Sequence, residues 1–158
     1  MNMAIVLVLH LIATWYMVGL IWMVQIVHYN LFDHVGIAEF QRYEQAHARL
    51  ITPIVMVPML VELSTAVLLL IASPIGFPRW AAIVGLVLLA AIWLSTFFLQ
   101  VPYHKQLSAG FDQQAYQNLV RTNWIRTILW TSRGALTAWY TIQIILRSTS
   151  QINPVSGS

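Results

Sequence analysis

The sequence predicts an all-α protein, a membrane-embedded four-helix bundle. Hydrophobic residues make up 59% of the 158 residues and charged residues only 8%, and the mean hydropathy is +0.71. A water-soluble domain of this size could not cover its surface with so few charges, so lipid is the expected solvent. Four apolar stretches, each of about the 20 residues that cross a bilayer as a helix, give the helix count.

The four predicted spans are separated by polar or turn-forming segments. They cover residues 5–27, 50–72, 80–99 and 125–146. The first is too long for the apolar core of a signal peptide and lacks a basic start, so we expect it in the mature protein. Residues 1–147 are assigned to a transmembrane domain, and the short polar segment 148–158 to a disordered tail.

The connections between the spans differ in length. Residues 73–79 contain two prolines and a glycine, which predict a tight hairpin. Residues 28–49 and 100–124 form longer connections, which are expected to contain helix that prolongs the second and the fourth span. Asp112 is the candidate N-cap of the helix that leads into the fourth span.

Basic residues set the expected orientation of the chain. The end of the bundle with the two long connections carries Arg42, Arg49, Lys105 and Arg121, and the opposite end carries fewer. Because basic residues accumulate in cytoplasmic loops, we expect the long connections in the cytoplasm and both termini outside it, in a multi-pass protein of the cell's inner membrane. The net charge of +3 is scattered rather than clustered, which argues against nucleic acid as a partner.

Polar residues recur at helical spacing along three of the spans, so each of these spans directs one polar face at its neighbours. Two of the residues, Glu62 and Arg133, are charged, and an ionised group at bilayer depth costs about 2.5 to 3.5 kcal/mol. Their similar depth predicts that they meet inside the bundle. The pair fits two interpretations: a buried ion pair that fixes helix packing, or the wall of a polar cavity that binds a substrate oxygen or relays a proton.

Three histidines lie at the cytoplasmic ends of their spans. We expect His28, His47 and His104 at similar depth, with Glu44 one helical turn before His47. Imidazoles and a carboxylate are ligands of zinc, copper and non-haem iron, and two histidines on facing helices can ligate a haem. A bound metal ion or haem is one interpretation, and ordinary hydrated histidines at the membrane interface are the other. The absence of cysteine excludes thiolate ligands and disulfides.

Three tryptophans lie deep in the predicted spans. Trp22 lies one turn from Gln25 in the first span, Trp93 lies in the third span, and Trp130 lies within the polar stripe of the fourth. This placement favours an apolar substrate pocket with a polar floor. A plain packed core explains the same placement equally well.

Two segments resemble a known family. Residues 97–107, FFLQVPYHKQL, and residues 119–135, LVRTNWIRTILWTSRGA, are similar to the third and fourth helices of the four-span membrane family of unknown function that includes anthrone oxygenases. The matching residues are Val101, Pro102, Asn123, Arg126 and Thr127, whereas His104 stands where that family usually has asparagine. The resemblance implies the oxidation of a tricyclic aromatic ketone to a quinone by oxygen, without an established cofactor.

A fainter similarity extends from His10 to His28 and over residues 42–53. These segments are similar to the four-span bacterial protoporphyrinogen oxidase, which works with haem. The lysine that this oxidase has in its third span is missing here. The similarity implies a haem-binding membrane protein as an alternative function.

The sequence thus favours a small membrane oxidoreductase or oxygenase that acts on a hydrophobic aromatic or quinone-like substrate. Amide and guanidinium donors would stabilise an enolate or peroxide in a low-dielectric pocket. The candidate catalytic residues are Asn123, Arg126, Arg133 and Glu62; the candidate substrate-binding residues are Trp22, Gln25, Trp93 and Trp130; the candidate metal ligands are His28, His47, His104 and Glu44.

The alternative from a different class is a non-catalytic accessory or assembly subunit of a larger membrane complex, in which the polar stripes serve helix packing alone. The expected partners are the lipid bilayer and a hydrophobic small molecule. A homo-oligomer or a larger membrane complex is the expected assembly.

Overall fold

A computed structural model describes residues 2–152, and over this range the chain is helical with no strand. The predicted all-α fold class is confirmed. The four helices are α1, Met3–His34; α2, Ile37–Ile71; α3, Arg79–Leu107; and α4, Gln113–Ile152. Helix α1 packs against α2 and α4, and α3 packs against the same two helices, so the bundle is a closed ring of four.

Helices α1, α2 and α3 are each long and apolar enough to cross a membrane, whereas α4 is not among the helices that meet this standard. The reason lies in its composition, because α4 carries Arg121, Arg126 and Arg133. Two of these, Arg126 and Arg133, are buried against the other helices. The polarity of α4 is therefore directed largely into the bundle.

The outer surface of the bundle is apolar and its interior is partly polar. Large apolar side chains such as Ile12, Val87, Phe98 and Ile128 are more than half exposed. The buried polar residues are His10, Thr14, Gln25, Glu44, Glu62, Thr65, Ser95, Gln100, Asn123, Arg126, Thr127, Arg133 and Thr137. This distribution is the reverse of a water-soluble bundle, and continuous exposed apolar surface of this extent requires lipid around it.

The connections agree with the sequence patterns, except at the C-terminal end. The short hairpin between α2 and α3 turns at Gly76, whose φ of +90° favours glycine. Both longer connections contain helix as predicted, since α2 begins at Ile37 and α4 at Gln113. The predicted start of a disordered tail at Ser148 is wrong, because α4 continues to Ile152. Residues 153–158 lie outside the described range.

Two helices contain a π-helical turn, which the sequence patterns did not reveal. One covers Val24–His28 in α1 and is followed by a 3-10 segment over Tyr29–His34. The other covers Thr96–Gln100 in α3. A π-turn inserts an extra residue and rotates everything that follows it about the helix axis, and such turns are frequent at functional sites. Both turns come just before side chains of the candidate site.

Asp112 caps α4 as the sequence predicted, because its Oδ1 accepts a hydrogen bond of 2.6 Å from the backbone N–H of Ala115. We expect Asp112→Ala to lower the free energy of unfolding by about 1 kcal/mol, since an N–H of the first turn loses its acceptor. Asp112→Asn, which keeps an acceptor oxygen, should retain most of that stability. Unfolding in detergent, followed by circular dichroism, measures both. Equal stability of the alanine variant and the unaltered protein would contradict the capping role.

Candidate functional site

A cavity of about 440 Å³ lies between α2 and α3, with α1 behind it. Its walls are mostly apolar and include Met17, Ile21, Met59, Trp93 and Phe97. Its polar lining includes Tyr29, His47 and His104, with Arg126 contributed by α4. A concave apolar space of this size with a few convergent polar groups is the usual form of a small-molecule site.

The three histidines of the sequence prediction come together beside this cavity. His28 Nε2 lies 2.9 Å from His47 Nδ1, and the ring centroids of His47 and His104 are 5.5 Å apart. The predicted convergence of the histidines is confirmed. We call these three residues, together with Tyr29 and Glu44, the histidine cluster.

His104 links Glu44 and Tyr29, the two members of the histidine cluster that are not histidines. Its Nδ1 lies 2.6 Å from Oε1 of Glu44, and its Nε2 lies 3.0 Å from the hydroxyl of Tyr29. A carboxylate only accepts, so Nδ1 of His104 donates to Glu44, and Nε2 of the neutral ring accepts the Tyr29 O–H. The result is a chain of carboxylate, imidazole and phenol that ends at the cavity.

Aromatic packing shields one side of the histidine cluster, whose three imidazoles remain partly exposed. The ring of Phe32 packs edge-on against His28 and His47, at centroid distances of 5.1 and 5.5 Å. Phe32 and Phe40 are fully buried, and they also pack on one another. Because the 3-10 segment that follows the π-turn of α1 carries Phe32, the irregular end of α1 forms part of this shield.

Three members of the histidine cluster could hold a single metal ion. Glu44, His47 and His104 each offer one ligand atom, and these atoms lie within 4.8 Å of one another. Glu44 and His47 come from adjacent turns of α2, and His104 comes from α3. His28 does not belong to this set, although the sequence placed it among the ligands, because its ring lies on His47 instead.

Arg126 is held in place by a chain of buried amides. Its Nη1 donates to Oδ1 of Asn123 at 3.3 Å, and Nδ2 of Asn123 donates to Oε1 of Gln25 at 3.0 Å. The Gln25 amide in turn donates to the backbone carbonyl of Val120 at 3.2 Å. The guanidinium also lies over the ring of Trp130, 5.2 Å from its centroid. Arg126 thus faces the cavity, and Asn123 and Gln25 position it from behind.

Glu62 and Arg133 meet as predicted, since Nε of the arginine lies 3.2 Å from Oε1 of the glutamate and both side chains are fully buried. Arg133 also contacts His10 Nε2 at 3.1 Å and donates to the backbone carbonyl of Gly85. Nε1 of Trp130 donates to the second oxygen of Glu62 at 3.0 Å. This Arg133 network joins residues from all four helices.

The Arg133 network is separate from the cavity, so the interpretation of Glu62 and Arg133 as walls of a substrate cavity is wrong. Neither residue lines the large cavity. The void beside Arg133 has a volume of about 10 Å³, which is room for about one water molecule. The physical reason is the number of partners, because each polar group of the pair is directed at a protein atom and packing closes around it.

The tryptophans divide between the surface, the core and the cavity. Trp93 lines the cavity as predicted. Trp22 does not, because it is 41% exposed on the outer surface, where its Nε1 donates to Thr131 at 3.0 Å and its ring packs on Trp124. Trp130 is fully buried in the core between Arg126 and Glu62, rather than in the cavity wall.

Three residues that line the cavity carry buried polar atoms without a hydrogen-bond partner among the described residues. These atoms are Nε1 of Trp93, Oε1 of Gln100 and Nε of Arg126. Buried polar groups are normally satisfied, but each of these atoms is itself covered by protein, so a ligand in the cavity would reach it only after a side-chain movement. Sequence reasoning missed Tyr29 and Gln100. Their one signal in the sequence was position, since Tyr29 follows His28 and Gln100 lies one helical turn before His104.

Comparisons with family models, with curated proteins and with solved structures give no match for this chain. The fold and the site define its class by themselves: a helical protein with membrane-spanning character and an apolar cavity that ends in a partly buried cluster of imidazole, phenol and carboxylate groups. The resemblance to the anthrone oxygenase family stays a prediction.

Removing one partner of the ion pair should destabilise the bundle more than removing both. We expect Glu62→Ala to lower the free energy of unfolding by about 3 to 5 kcal/mol, since it leaves Arg133 buried without its counter-charge. The double variant with Arg133→Ala should lose less. A double-mutant cycle in detergent micelles measures the coupling. A double variant less stable than the single one would contradict the dominance of the unpaired charge.

Proposed function

We propose that this protein is a small membrane oxidoreductase, an oxygenase that acts on a hydrophobic aromatic ketone or a related quinone-like substrate. One observation carries the proposal: the cavity combines an apolar wall with Tyr29, His47, His104 and Arg126 in its lining. A flat apolar molecule with one or two oxygens matches both parts of this lining. The resemblance of residues 97–107 and 119–135 to the anthrone oxygenase family favours the same substrate class.

Arg126 is the proposed electrophile. A ketone oxygen that accepts from the guanidinium gains charge when a proton leaves the ring methylene opposite it, which is conjugated with the carbonyl through the aromatic rings, and a fixed donor in a low-dielectric site stabilises the resulting enolate. Asn123 and Gln25 keep the guanidinium oriented before the substrate arrives.

The imidazoles of the histidine cluster are the proposed proton acceptors. The overall change converts a ring methylene and dioxygen into a carbonyl and water, CH2 + O2 → C=O + H2O. One oxygen atom enters the substrate, and the other leaves as water with the two hydrogens. Both electrons of each broken C–H bond pass to oxygen, so dioxygen is the oxidant. The chain has to move protons, hold the enolate and exclude bulk water.

The substrate is proposed to enter from the lipid. Phe97 and Val101 line the cavity and are also half exposed on the apolar outer surface of α3. Thr52 is the exposed lining residue across from them on α2. A hydrophobic molecule dissolved in the bilayer therefore meets the cavity between α2 and α3 without crossing water.

Two other functions make different predictions. In a haem protein, His28 and His47 would face an iron between them, but their ring nitrogens lie in direct contact at 2.9 Å. An accessory subunit would need no cavity, and its polar groups would all be paired within the bundle. The cavity with its polar lining favours a ligand-binding protein over that alternative.

Anthrone is the substrate probe that tests the proposal. We expect the purified protein in detergent to consume oxygen and to form anthraquinone. Arg126→Met should reduce kcat by about 100- to 1,000-fold, the typical effect of removing a donor to a developing oxyanion. The matched control is Arg121→Met, because Arg121 lies on the same helix but is exposed and outside the cavity. No oxygen uptake above the spontaneous rate would overturn the proposal for this substrate class.

The proposed orientation places the histidine cluster at the cytoplasmic side of the inner membrane, because Arg42, Arg49, Lys105 and Arg121 all lie at that end of the bundle. A reporter inserted at Gly110, in the turn between α3 and α4, should therefore give a cytoplasmic signal. A reporter fused at Ser148 should give the opposite signal. Exchange of the two signals would show that the orientation is inverted.

A further inference from the structure

We propose that Glu44, His47 and His104 bind one divalent transition-metal ion at the polar lining of the cavity. Glu44 and His47 are three residues apart on α2 and therefore share one face of that helix. His104 reaches them from α3, beyond its π-turn. Their ligand atoms already lie within 4.8 Å of one another.

The distances leave little to rearrange. Ligand atoms about 2.1 Å from one ion lie at most about 4.2 Å from each other. The upper limit of 4.8 Å in the structure therefore requires shifts of well under about 1 Å, which small rotations of the side chains provide. The contact between Nδ1 of His104 and Oε1 of Glu44 marks the position, because an ion would replace the proton that these two atoms share.

Hydrogen bonds from outside the set orient both imidazoles. His28 holds Nδ1 of His47, which leaves Nε2 of His47 for the ion. With an ion on Nδ1 of His104, the ring proton would lie on Nε2, which would then donate to the hydroxyl oxygen of Tyr29. Metal-bound histidines almost always have such a partner on the second nitrogen, and the partner fixes the ring and its tautomer. Here both rings have one.

The burial of Glu44 gives an independent reason for a cation. Glu44 is fully buried, and among the described residues the one basic side chain within ion-pair distance of it is His104, whose ring is neutral in the hydrogen-bond arrangement described above. Its Oε2 has no hydrogen-bond partner within that same part of the chain. A buried carboxylate without a full counter-charge is costly, and a divalent ion beside it would remove that cost.

The donor set selects the class of metal. Two imidazoles and one carboxylate, with remaining positions open to a cavity, are typical of non-haem iron(II) sites, and zinc accepts the same ligands. Magnesium and calcium prefer oxygen ligands throughout, so they should not compete. If the proposed oxidation is correct, the ion rather than the imidazoles would face the substrate. A water bound to the ion, which becomes more acidic there, would then take part in proton transfer.

Metal binding is measured directly, without turnover. The protein is purified in detergent, stripped with a chelator, and titrated with zinc or, without oxygen, with iron(II); metal content after desalting gives the stoichiometry. We expect one zinc or one iron(II) per chain and no magnesium. His47→Ala, His104→Ala and the nearly isosteric Glu44→Gln should each abolish stoichiometric binding, with helix content checked by circular dichroism.

His28 and His34 provide graded controls. His28→Ala should weaken binding about 10- to 100-fold, as expected for a residue that orients a ligand from outside. His34→Ala should leave binding unchanged, because that side chain is 74% exposed and pairs with Asp33 instead. Full binding by folded Glu44→Gln and His104→Ala variants, or no binding by the unaltered protein at micromolar metal, would overturn the proposal.

The role of the ion in oxidation rests on the proposed function, and the two claims fail separately. One metal per chain without anthrone oxidation would keep the site and reject the oxidation. Oxidation that persists in the stripped protein at an undiminished rate would keep the oxidoreductase and reject the catalytic role of the ion.

Discussion

Arg133 contacts every other helix of the bundle, and the arrangement of the remaining residues depends on it. It pairs with Glu62 of α2, contacts His10 of α1 and donates to the carbonyl of Gly85 in α3. In lipid, a helix gains little from burying apolar side chains, so polar contacts and close packing decide which faces meet. An arginine with partners on three helices fixes the rotation of all four.

That rotation determines what the second arginine of α4 can do. Arg126 lies two turns from Arg133, about 10 Å along the helix, and therefore points to a similar side of α4. With α1, α2 and α3 locked around Arg133, the gap between α2 and α3 opens beside Arg126 and the histidine cluster. The residues that hold the bundle together are thus distinct from those of the candidate site. The Arg133 network encloses almost no empty volume and its polar groups are hydrogen-bonded, whereas the Arg126 site borders a cavity and includes polar atoms without a hydrogen-bond partner.

The cavity combines two environments, an apolar wall and a set of polar groups. Its wall is open towards lipid at Phe97 and Val101, whereas its polar groups are shielded by Phe32. A low dielectric strengthens every interaction between those polar groups and a ligand, and it makes an unpaired group costly. Both effects favour an occupant that carries oxygen atoms on an apolar body, and a cation beside Glu44.

The sequence by itself determined the helices, the faces that they direct inward and two of the contacts between helices. Hydropathy and turn residues placed the hairpin at Gly76 and the cap at Asp112. Depth along each span predicted that Glu62 meets Arg133 and that the three histidines converge, because depth follows from counting residues at a constant rise.

Only the tertiary structure decided which neighbour each side chain meets. It placed Trp22 on the outer surface, Arg133 in a closed network and His28 behind His47, and it brought Tyr29 to the cavity. Helical periodicity defines a face to within roughly one residue, about 100° of rotation, and so leaves the neighbours of residues at the edge of a stripe undecided. The two π-turns add a further rotation that a regular period does not encode. Packing of the other helices around Arg133 determines both the neighbours of these residues and the final rotation of each helix.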